Sequence, residues 1–378
     1  MKLFINAANL RFGGGRTVGF NLINYYSLHP AVSSMIVTVP AGCGYERFAA
    51  NKKVKLLVYD KIYNHAVSKI IYNYVLLPLR IAFTKTDFIL SLGNIAVPTR
   101  KTQFLLIHQA YVAYPESIVW KRIRKNDKPF YRYIMNTLRL IRTNLHFASM
   151  LGVQTESMRS RMSRLYNFPE ERIVVIPNAV SYTSGIAPPP RRSESEKEIN
   201  LLFIAKYYPH KNYEILYETG KLIAERKLPI RITVTIDRSE NEGSRRFLDT
   251  IEKMGLSHII VNHGNVPLEE LGKVYATQDG LFLPTLLESF SGSYIEAMHF
   301  RKLIFTSDMD FAHEVCLDSA YYFDPHNPED IVNKIEDAFK DPNTMEYKLC
   351  RGQEILESSK TWEDIGKFID DKFLNLAK

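Results

Sequence analysis

Residues 280–301 read GLFLPTLLESFSGSYIEAMHFR and hold the pattern from which the fold can be worked out. The apolar run at 281–284 predicts a short buried strand, and residues 285–291 predict a tight polar loop. Apolar side chains from Ile295 to Phe300 recur at helical spacing, so a helix is expected directly after the loop. A strand followed by a loop and a helix is the repeating unit of a parallel sheet covered by helices.

The junction between this loop and this helix has the residues of an anion-binding site. Ser291 or Ser293 can cap the helix, and Gly292 allows a ligand to approach the backbone closely. Amides at a helix start lie at the positive end of the helix dipole, and they would face the end of the strand. The junction therefore predicts a site for phosphate or another anion.

Two carboxylates flank this predicted site, Glu288 in the loop and Glu296 in the second helical turn. A carboxylate beside an anion is unfavourable unless it accepts hydrogen bonds from hydroxyl groups. The pair therefore indicates a ligand that carries both phosphates and sugar rings. The alternative is an ordinary strand-to-helix turn with an acidic residue that complements the helix dipole, and the spacing alone does not separate the two.

The same strand-and-helix alternation runs along both halves of the 378-residue chain. The strand-like runs are KLFINA, MIVTVP, VKLLVYD, DFILSLG, FLLIHQ, FASMLGVQT and RIVVIPNAV, then INLLFIAK, IRITVTID, HIIVNHG, GLFLPT, KLIFTSD and AYYFD. Helical patterns lie between many of them, as in parallel sheets with helices on both faces. We therefore predict an α/β fold with two Rossmann-like domains that face each other across a cleft.

Composition sets the predicted domain boundaries. Residues 183–198 contain three consecutive prolines followed by a charge-rich run, which cannot build a core. We predict an N-terminal domain at 1–182, a linker at 183–198 and a C-terminal domain at 199–360. The amphipathic pattern at 361–378 predicts a C-terminal helix that could pack back on the N-terminal domain.

The net charge of +8 is divided unequally along the chain. Residues 1–180 hold 25 Lys and Arg against 8 Asp and Glu, whereas the remainder holds 24 against 33. The densest basic stretch, residues 120–142, mixes basic with aromatic side chains, which suits contact with an anionic membrane or an anionic acceptor. A solvated helix face is the alternative. No nucleic-acid-binding module accompanies the positive charge, so no nucleic-acid partner is expected.

Cysteine content and hydropathy bear on location. Cys43, Cys316 and Cys350 have neither metal-ligand spacing nor the number needed for a disulfide scaffold. The sequence also has no signal-peptide pattern and no apolar run long enough for a membrane span. We predict a cytoplasmic protein, with contact at the inner face of the plasma membrane as one location that its charge allows.

Three further groups follow predicted strands, where open α/β sheets bind ligands. Gly13, Gly14 and Gly15 precede the first helix, although their spacing differs from the dinucleotide fingerprint. His108 ends the run FLLIHQ; a structural role is the alternative for this imidazole. The tripeptide at 308–310, Asp-Met-Asp, resembles a chelating pair, but no other ligand stands beside it, and we assign no metal.

The third group is AKYYPHKN, which places Lys206 and Lys211 on one loop after the first strand of the C-terminal domain. Two cations beside the amides of residues 288–293 could neutralise a diphosphate without a metal ion. A surface loop that happens to hold two lysines is the alternative.

Together these motifs resemble the retaining glycosyltransferases of the glycogen-synthase-like group, also called glycosyl transferases group one, which have the GT-B fold. The resemblance covers nearly the whole chain and is strongest at 173–330. The motifs that carry it, in the family's order, are IPNAV, AKYYPHKN, LPTLLESFSGSYIEAM and TSDMDFAHEVCLDSAYYFDP.

The resemblance implies a nucleotide sugar held mostly by the C-terminal domain. Glu296 would bind the ribose hydroxyls and Glu288 the transferred sugar. The diphosphate would be held by the amides around Phe290, Ser291 and Gly292, with Ser293 beside them, and by Lys206 and Lys211. The Gly14 and Gly15 loop would approach the phosphates, His108 would lie near the donor sugar, and the N-terminal domain would bind the acceptor.

The sequence departs from the family pattern at three places. Lys206 stands where Arg is more usual, Asn212 follows Lys211 where Gly is frequent, and serines flank Gly292 on both sides. These departures leave the exact donor open.

The resemblance implies a retaining hexosyltransferase that needs no cofactor and no metal. The donor would be a UDP-, GDP- or dTDP-sugar, and the acceptor a growing glycan or lipid-linked glycan in cell-surface polysaccharide or lipopolysaccharide synthesis. Nothing marks a second carboxylate as nucleophile, so same-face attack is expected. The alternatives are a sugar-nucleotide epimerase or hydrolase of similar fold, or a non-catalytic nucleotide-sugar-binding subunit.

Overall fold

A computed structural model describes residues 1–11, 13–59, 66–179 and 198–373. Of the predicted linker at 183–198, all but Glu198 lies outside the described residues. The chain divides into two compact units. Unit 1 comprises Met1–Pro115, Pro129–Ser181 and Lys360–Lys378, and unit 2 comprises Glu116–Lys128 and Tyr182–Ser359.

Unit 1 is built on a parallel sheet, which has seven strands in the part of the chain that the structure describes. The strands are β1 (Lys2–Asn6), β2 (Ser34–Pro40), β3 (Val54–Tyr59), β4 (Phe88–Ser91), β5 (Gln103–Leu106), β6 (Met150–Val153) and β7 (Ile173–Val175). Their order is β3-β2-β1-β4-β5-β6-β7, and in the register Ile5 lies opposite Val37 on one side and Leu90 on the other. Every pairing is parallel, as the alternation of strands and helices predicted.

Helices cover this sheet. They are α1 (Gly13–Leu28), α2 (Ala66–Ile71), α3 (Leu77–Phe83), α5 (Lys128–Asn144), α6 (Glu156–Tyr166) and α14 (Trp362–Phe373), with α4 (Val119–Asn126) belonging to unit 2. Successive residues of β1 point to opposite faces, so Leu3 and Ile5 pack in one core layer and Phe4 packs in another. The second layer also contains Leu77 and Ile81 of α3.

Unit 2 is a second parallel sheet, of six strands among the described residues. The strands are β8 (Ile199–Phe203), β9 (Ile230–Val234), β10 (Ile260–Asn262), β11 (Gly280–Leu283), β12 (Leu303–Ser307) and β13 (Ala320–Phe323). Their order is β10-β9-β8-β11-β12-β13. The helices are α7 (Ile215–Glu225), α8 (Glu242–Lys253), α9 (Leu271–Ala276), α10 (Gly292–His299), α11 (Asp310–Cys316), α12 (Pro328–Ala338) and α13 (Pro342–Ser358), together with α4.

Aromatic side chains fill the core of unit 2. Phe203 of β8 stacks on Tyr213 with ring centroids 4.1 Å apart, and Phe282 of β11 stacks on Phe323 of β13 at 5.4 Å. Rings packed in these offset arrangements add stabilisation beyond that of the apolar area they bury. The prediction of a strand at 281–284 is confirmed, with β11 beginning and ending one residue earlier.

The basic stretch at 120–142 is divided between the two units. The predicted boundary placed all of it in the N-terminal domain, whereas the structure groups α4 with unit 2 and most of α5 with unit 1. The physical reason is the buried side of α4: Val119 and Ile123 are fully buried, and Arg122 donates a hydrogen bond to Asn212 of unit 2 at 2.5 Å. The stretch is therefore not one basic surface.

The C-terminal helix α14 packs against α1 in unit 1. Ile365 and Ile369 are each 1% exposed and lie in the first core layer of that unit. The hydroxyl of Tyr25 on α1 donates a hydrogen bond to Asp370 at 2.7 Å. Within the described residues, no helix is long and apolar enough to cross a membrane.

Candidate functional site

In both sheets the order in which successive strands are added reverses at one position. In unit 1 the reversal lies between β1 and β4, and in unit 2 it lies between β8 and β11. Open parallel sheets bind ligands in the crevice beyond the carboxyl ends of strands at such a reversal. In unit 2 the loops at this position are the one after β8, with Lys206 and Lys211, and the one after β11, with Glu288.

The two loops of unit 2 are joined by hydrogen bonds to one carbonyl. The amide of Leu286 donates to the carbonyl oxygen of His210 at 2.8 Å, and the hydroxyl of Thr285 donates to the same oxygen at 3.1 Å. These bonds hold the two motifs AKYYPHKN and LPTLLESFSGSYIEAM side by side, although about 75 residues separate them in sequence.

Lys211 and Glu288 form an ion pair at the centre of this site. Their side chains are 13% and 11% exposed, so both charges are largely removed from water. The hydroxyl of Thr285 lies 3.3 Å from the same carboxylate oxygen of Glu288. A buried charge of this kind is tolerated because it is paired and hydrogen-bonded.

Lys206 has a different partner from the one its motif suggests. Its ammonium pairs with Glu240 at 2.6 Å, and 49% of its side chain is exposed. The hydrogen bond to Glu240 raises the pKa of Lys206, so the lysine is cationic at neutral pH. Glu240 lies after β9 and carries no motif in the sequence, so sequence reasoning missed it.

Helix α10 begins after a serine whose side chain does not cap it. Ser291 takes the N-cap position, but its side chain accepts no hydrogen bond from the helix, contrary to one of the two predicted caps. The hydroxyl of Ser293, the other predicted cap, lies 3.5 Å from the carbonyl oxygen of Ile204. The first-turn amides of Gly292 and Ser293 are therefore the donors that a helix start offers to an anion.

Open space lies above Gly292. A Cβ added there meets nothing nearer than the Glu296 carboxylate, at 4.0 Å. The residue is exposed, whereas Ser289 and Ser291 just before it are buried. A ligand, rather than the protein, would occupy the space beside this backbone.

We expect Gly292→Val to weaken binding of a nucleoside diphosphate by about tenfold or more, because its methyl groups fill the space that the ligand needs. The melting temperature should stay within about 3 °C of the wild-type value, since a Cβ at this position meets no protein atom nearer than 4.0 Å. Titration calorimetry and thermal melting measure the two quantities, with Gly292→Ala as an intermediate step. Unchanged affinity in the valine variant would show that the ligand binds elsewhere.

Glu296 follows one turn into α10 and is partly exposed. The hydroxyl of Tyr275 lies 3.4 Å from one of its carboxylate oxygens. The other carboxylate oxygen lies 4.0 Å from the position that a Cβ on Gly292 would take. This arrangement suits an acceptor of hydrogen bonds from ligand hydroxyls.

His210 is a site residue that the motif contained but to which sequence reasoning gave no role. Burial of its ring lowers the pKa of His210 to about 4, although the nearby Glu288 acts in the opposite direction. The imidazole is therefore neutral at pH 7 and can donate or accept a hydrogen bond beside Lys211. Thr285, which joins the loops, was likewise missed; its position just after the buried strand was the available signal.

Asn212 replaces the glycine that is frequent after Lys211 in the family motif. Its backbone has φ of +61°, the left-handed conformation, which Asn adopts more readily than other non-glycine residues. Its side chain donates to the carbonyl oxygen of Pro325 at 2.8 Å and accepts from Arg122. The substitution keeps the turn after Lys211 and adds an anchor for α4.

Unit 1 places its candidates after β1 and β5, the two strands that flank β4. Helix α1 begins at Gly13, where φ is +58°, so Gly14 and Gly15 lie in its first turn rather than ahead of it. A Cβ added at Gly14 meets nothing within 4 Å, whereas one at Gly15 meets Leu10 at 3.3 Å. Gly14 is therefore free of steric constraint from the protein.

His108 lies after β5, beside the loop that follows β4. Its Nε2 is 3.0 Å from the carbonyl oxygen of Leu92, and burial lowers the pKa of His108 to about 4. The side chain of Asn94, itself in the left-handed conformation, accepts from the amides of His108 and Gln109 at 2.6 and 3.0 Å. The ring is thus neutral at pH 7 and held by the backbone around it.

The acidic tripeptide at 308–310 is explained by local structure. Asp308 pairs with His313 at 2.5 Å, and the carboxylate of Asp310 accepts from the amide of Phe311 at 2.8 Å. Across residues 1–11, 13–59, 66–179 and 198–373, no three His, Cys, Asp or Glu side chains cluster as metal ligands would.

Comparison with known proteins bears on this geometry. Residues 189–350 match the model of the family described as glycosyl transferases group 1. That region contains β8 to β13 and every candidate side chain of unit 2. The resemblance found from the four motifs and the family match agree.

The O-antigen chain mannosyltransferase RfbU of Salmonella typhimurium is 21% identical over 250 residues, which are 66% of this chain. The match spans 64% of the length of that protein.

Two solved structures share the fold over almost the entire chain. Sucrose-phosphate synthase from Thermosynechococcus elongatus has a TM-score of 0.74 at 14% identity, covering 100% of this chain and 99% of its own. Anabaena HepE, solved in complex with UDP and glucose, has a TM-score of 0.70 at 14% identity, covering 99% and 100%. The predicted α/β fold with two Rossmann-like domains is confirmed.

Proposed function

Since this chain belongs to the glycosyl transferases group 1 and has the GT-B fold, we propose that it moves a hexose-type sugar from a nucleotide-sugar donor to a growing glycan or lipid-linked acceptor. The observation that carries the proposal is the site after β8 and β11. There a buried Lys211 and Glu288 pair adjoins a helix start with its first-turn amides and the Glu296 carboxylate.

The site divides into parts that suit a sugar nucleotide. The amides of residues 290–293 and the cations Lys206 and Lys211 match a diphosphate. Glu296 suits the ribose hydroxyls, and Glu288 suits the hydroxyls of the transferred sugar, because a carboxylate accepts two hydrogen bonds or more. His108 and the Gly14 loop of unit 1 are proposed for the donor-sugar side of the reaction.

Cleavage of the bond between the anomeric carbon and the diphosphate oxygen builds negative charge on the leaving group. Fixed amides and ammonium groups aimed at that charge stabilise the transition state, each by about 10²-fold or more in rate. Glu288 holds the ammonium of Lys211 in position before any ligand binds. We propose that these groups act without a metal ion.

We propose retention of configuration through attack on the same face as the leaving group. The acceptor oxygen forms its bond to the anomeric carbon as the bond to the phosphate oxygen breaks, and the acceptor proton passes to that phosphate oxygen. Glu288 would orient the sugar rather than bond to it. Isolation of a covalent glycosyl-enzyme would contradict this step.

The relatives suggest the process. The name of the Salmonella relative places that protein in O-antigen chain synthesis. We propose that this chain likewise builds a cell-surface polysaccharide or lipopolysaccharide, using a UDP-, GDP- or dTDP-sugar.

Thermal stability against a panel of UDP-, GDP-, dTDP- and ADP-sugars and NAD, each with EDTA, tests the donor assignment. A ligand at about 100 times its dissociation constant should raise the free energy of unfolding by roughly 2.7 kcal/mol. We expect one nucleotide sugar to do so with EDTA present. Glu296→Ala should remove the shift, because the ribose hydroxyls lose their acceptor.

Glu357→Ala on α13, an exposed helical glutamate outside the site, is the matched control and should keep the shift. A shift from NAD alone, or one that needs a divalent metal, would contradict the donor and metal proposals. Product analysis with a glycan acceptor then separates transfer from the alternatives, since an epimerase or hydrolase would act without acceptor and a binding subunit would release nothing.

A further inference from the structure

A helical segment of unit 1, residues 66–83, is apolar on both of its faces. Helix α2, a π-helical turn at Tyr72–Leu76 and α3 follow one another without a break. On the inner face, Tyr72, Leu77 and Ile81 are 3% exposed or less and pack in the second core layer. A surface helix normally turns polar residues outward from such a face.

The outward face of this segment is apolar instead. Its exposed side chains, here called the apolar face, are Ile70, Ile71, Val75, Leu76, Leu79 and Phe83, between 47% and 87% exposed. They recur mainly at intervals of three and four residues, so they form one continuous stripe. Contiguous exposed apolar surface of this kind marks a site of contact with another molecule.

The backbone holds this stripe in place. Pro78 has no amide hydrogen to give to the preceding turn, and the helix widens to a π-helical turn just before it. The hydroxyl of Tyr74, in that turn, donates to the side chain of Asn144 at the end of α5 at 2.7 Å. The apolar face is therefore fastened to α5.

The segments that carry and adjoin the apolar face are mainly basic. Residues 66–87 and 127–144 contain seven Lys and Arg against two acidic residues, Asp87 and Asp127. Arg132, Tyr133 and Arg139 of α5 are exposed, with 56% of Tyr133 open to solvent. A predominantly basic helix with an exposed aromatic ring, next to an apolar stripe, complements anionic headgroups above acyl chains.

We propose that the apolar face enters the interfacial layer of an anionic lipid membrane while the arginines of α5 contact lipid phosphates. Charge complementarity selects this occupant, because a second copy of the chain would bring the same basic helix against itself. The proposal concerns unit 1 and does not rest on the proposed transferase activity. It differs from the interpretation of residues 120–142 as one membrane-binding stretch, since α4 is anchored in unit 2 through Arg122.

Co-sedimentation of the full chain with lipid vesicles tests the proposal. The probes are vesicles of phosphatidylcholine alone and of equimolar phosphatidylcholine and phosphatidylglycerol. We expect binding to the anionic vesicles, weakened by high salt because the arginine contacts are screened. Binding is read from the pellet, so the result is independent of whether the donor site is assigned correctly.

Leu79→Gln with Phe83→Gln should lower the partition into anionic vesicles by about tenfold or more, since two exposed side chains lose their affinity for the acyl region. The matched control is Leu28→Gln with Ile118→Gln, two exposed apolar residues at 70% and 46% outside the stripe, which should bind like the wild type. Both variants keep the core, so circular dichroism should show native folding.

Failure of the wild type to bind anionic vesicles, or equal binding by the Leu79 and Phe83 variant, would overturn the proposal. Light scattering after size-exclusion chromatography measures the oligomeric state as a further test. A dimer that the Leu79 and Phe83 variant abolishes would assign the apolar face to a second copy of this chain, and would overturn it too.

Discussion

Lys211→Met is expected to abolish sugar transfer and to lower the free energy of unfolding by about 3 kcal/mol. The variant leaves the carboxylate of Glu288 in a site where its side chain is 11% exposed and its cationic partner is gone. The same change removes a cation aimed at the diphosphate. Urea denaturation measures the loss of stability, and release of nucleoside diphosphate in the presence of acceptor measures the loss of sugar transfer.

A second variant separates stability from chemistry. Lys211→Met combined with Glu288→Gln removes both charges, so most of the lost stability should return while transfer stays absent. Lys340→Met is the control, because Lys340 pairs with Asp337 at a surface where their side chains are 68% and 72% exposed, and such pairs contribute little. Full activity in Lys211→Met would remove the lysine from the mechanism.

Lys206→Met is expected to lower kcat by about 10²-fold while changing the free energy of unfolding by less than about 1 kcal/mol. Its side chain is 49% exposed and its pair with Glu240 lies at the surface, so stability depends little on it. The reaction, by contrast, would lose a cation that stabilises the leaving diphosphate. Steady-state kinetics with saturating donor and thermal melting measure the two effects.

Lys221→Met is the matched control for Lys206. Lys221 is 48% exposed and pairs with Glu218 at 2.8 Å, so the two lysines differ in position rather than in environment. Normal kinetics are expected for Lys221→Met. Normal kinetics in Lys206→Met as well would show that Lys206 pairs with Glu240 but takes no part in the reaction.

The strands could be predicted from the sequence because their apolar runs are short, rich in branched residues and separated by turns. Each of the quoted runs overlaps one of the strands β1 to β13, in order, and the runs for β2 and β5 begin one residue after their strands do. The membership of α4 could not be predicted in this way. It depends on the buried side of α4 and on the hydrogen bond from Arg122 to Asn212. Periodicity shows that a helix has an apolar side without showing what that side contacts.

The site was predictable where its residues lie in contiguous motifs. Lys211 and Glu288 were both found, and the structure pairs them. The pairing of Lys206 with Glu240 could not be foreseen, because 34 residues separate two charged side chains that carry no pattern. The joining role of Thr285 was hidden for a related reason: a hydroxyl after a strand has many possible partners, and the choice is made by tertiary structure.

The packing of α14 on α1 also determines the order in which the protein can be completed during synthesis on the ribosome. Ile365 and Ile369 fill the core of unit 1, and they leave the ribosome after every described residue of unit 2. Domains usually fold in the order in which they are translated. Here unit 1 is begun before unit 2 but closes its core after it, so the nascent chain carries an open hydrophobic surface on α1 until α14 has been translated.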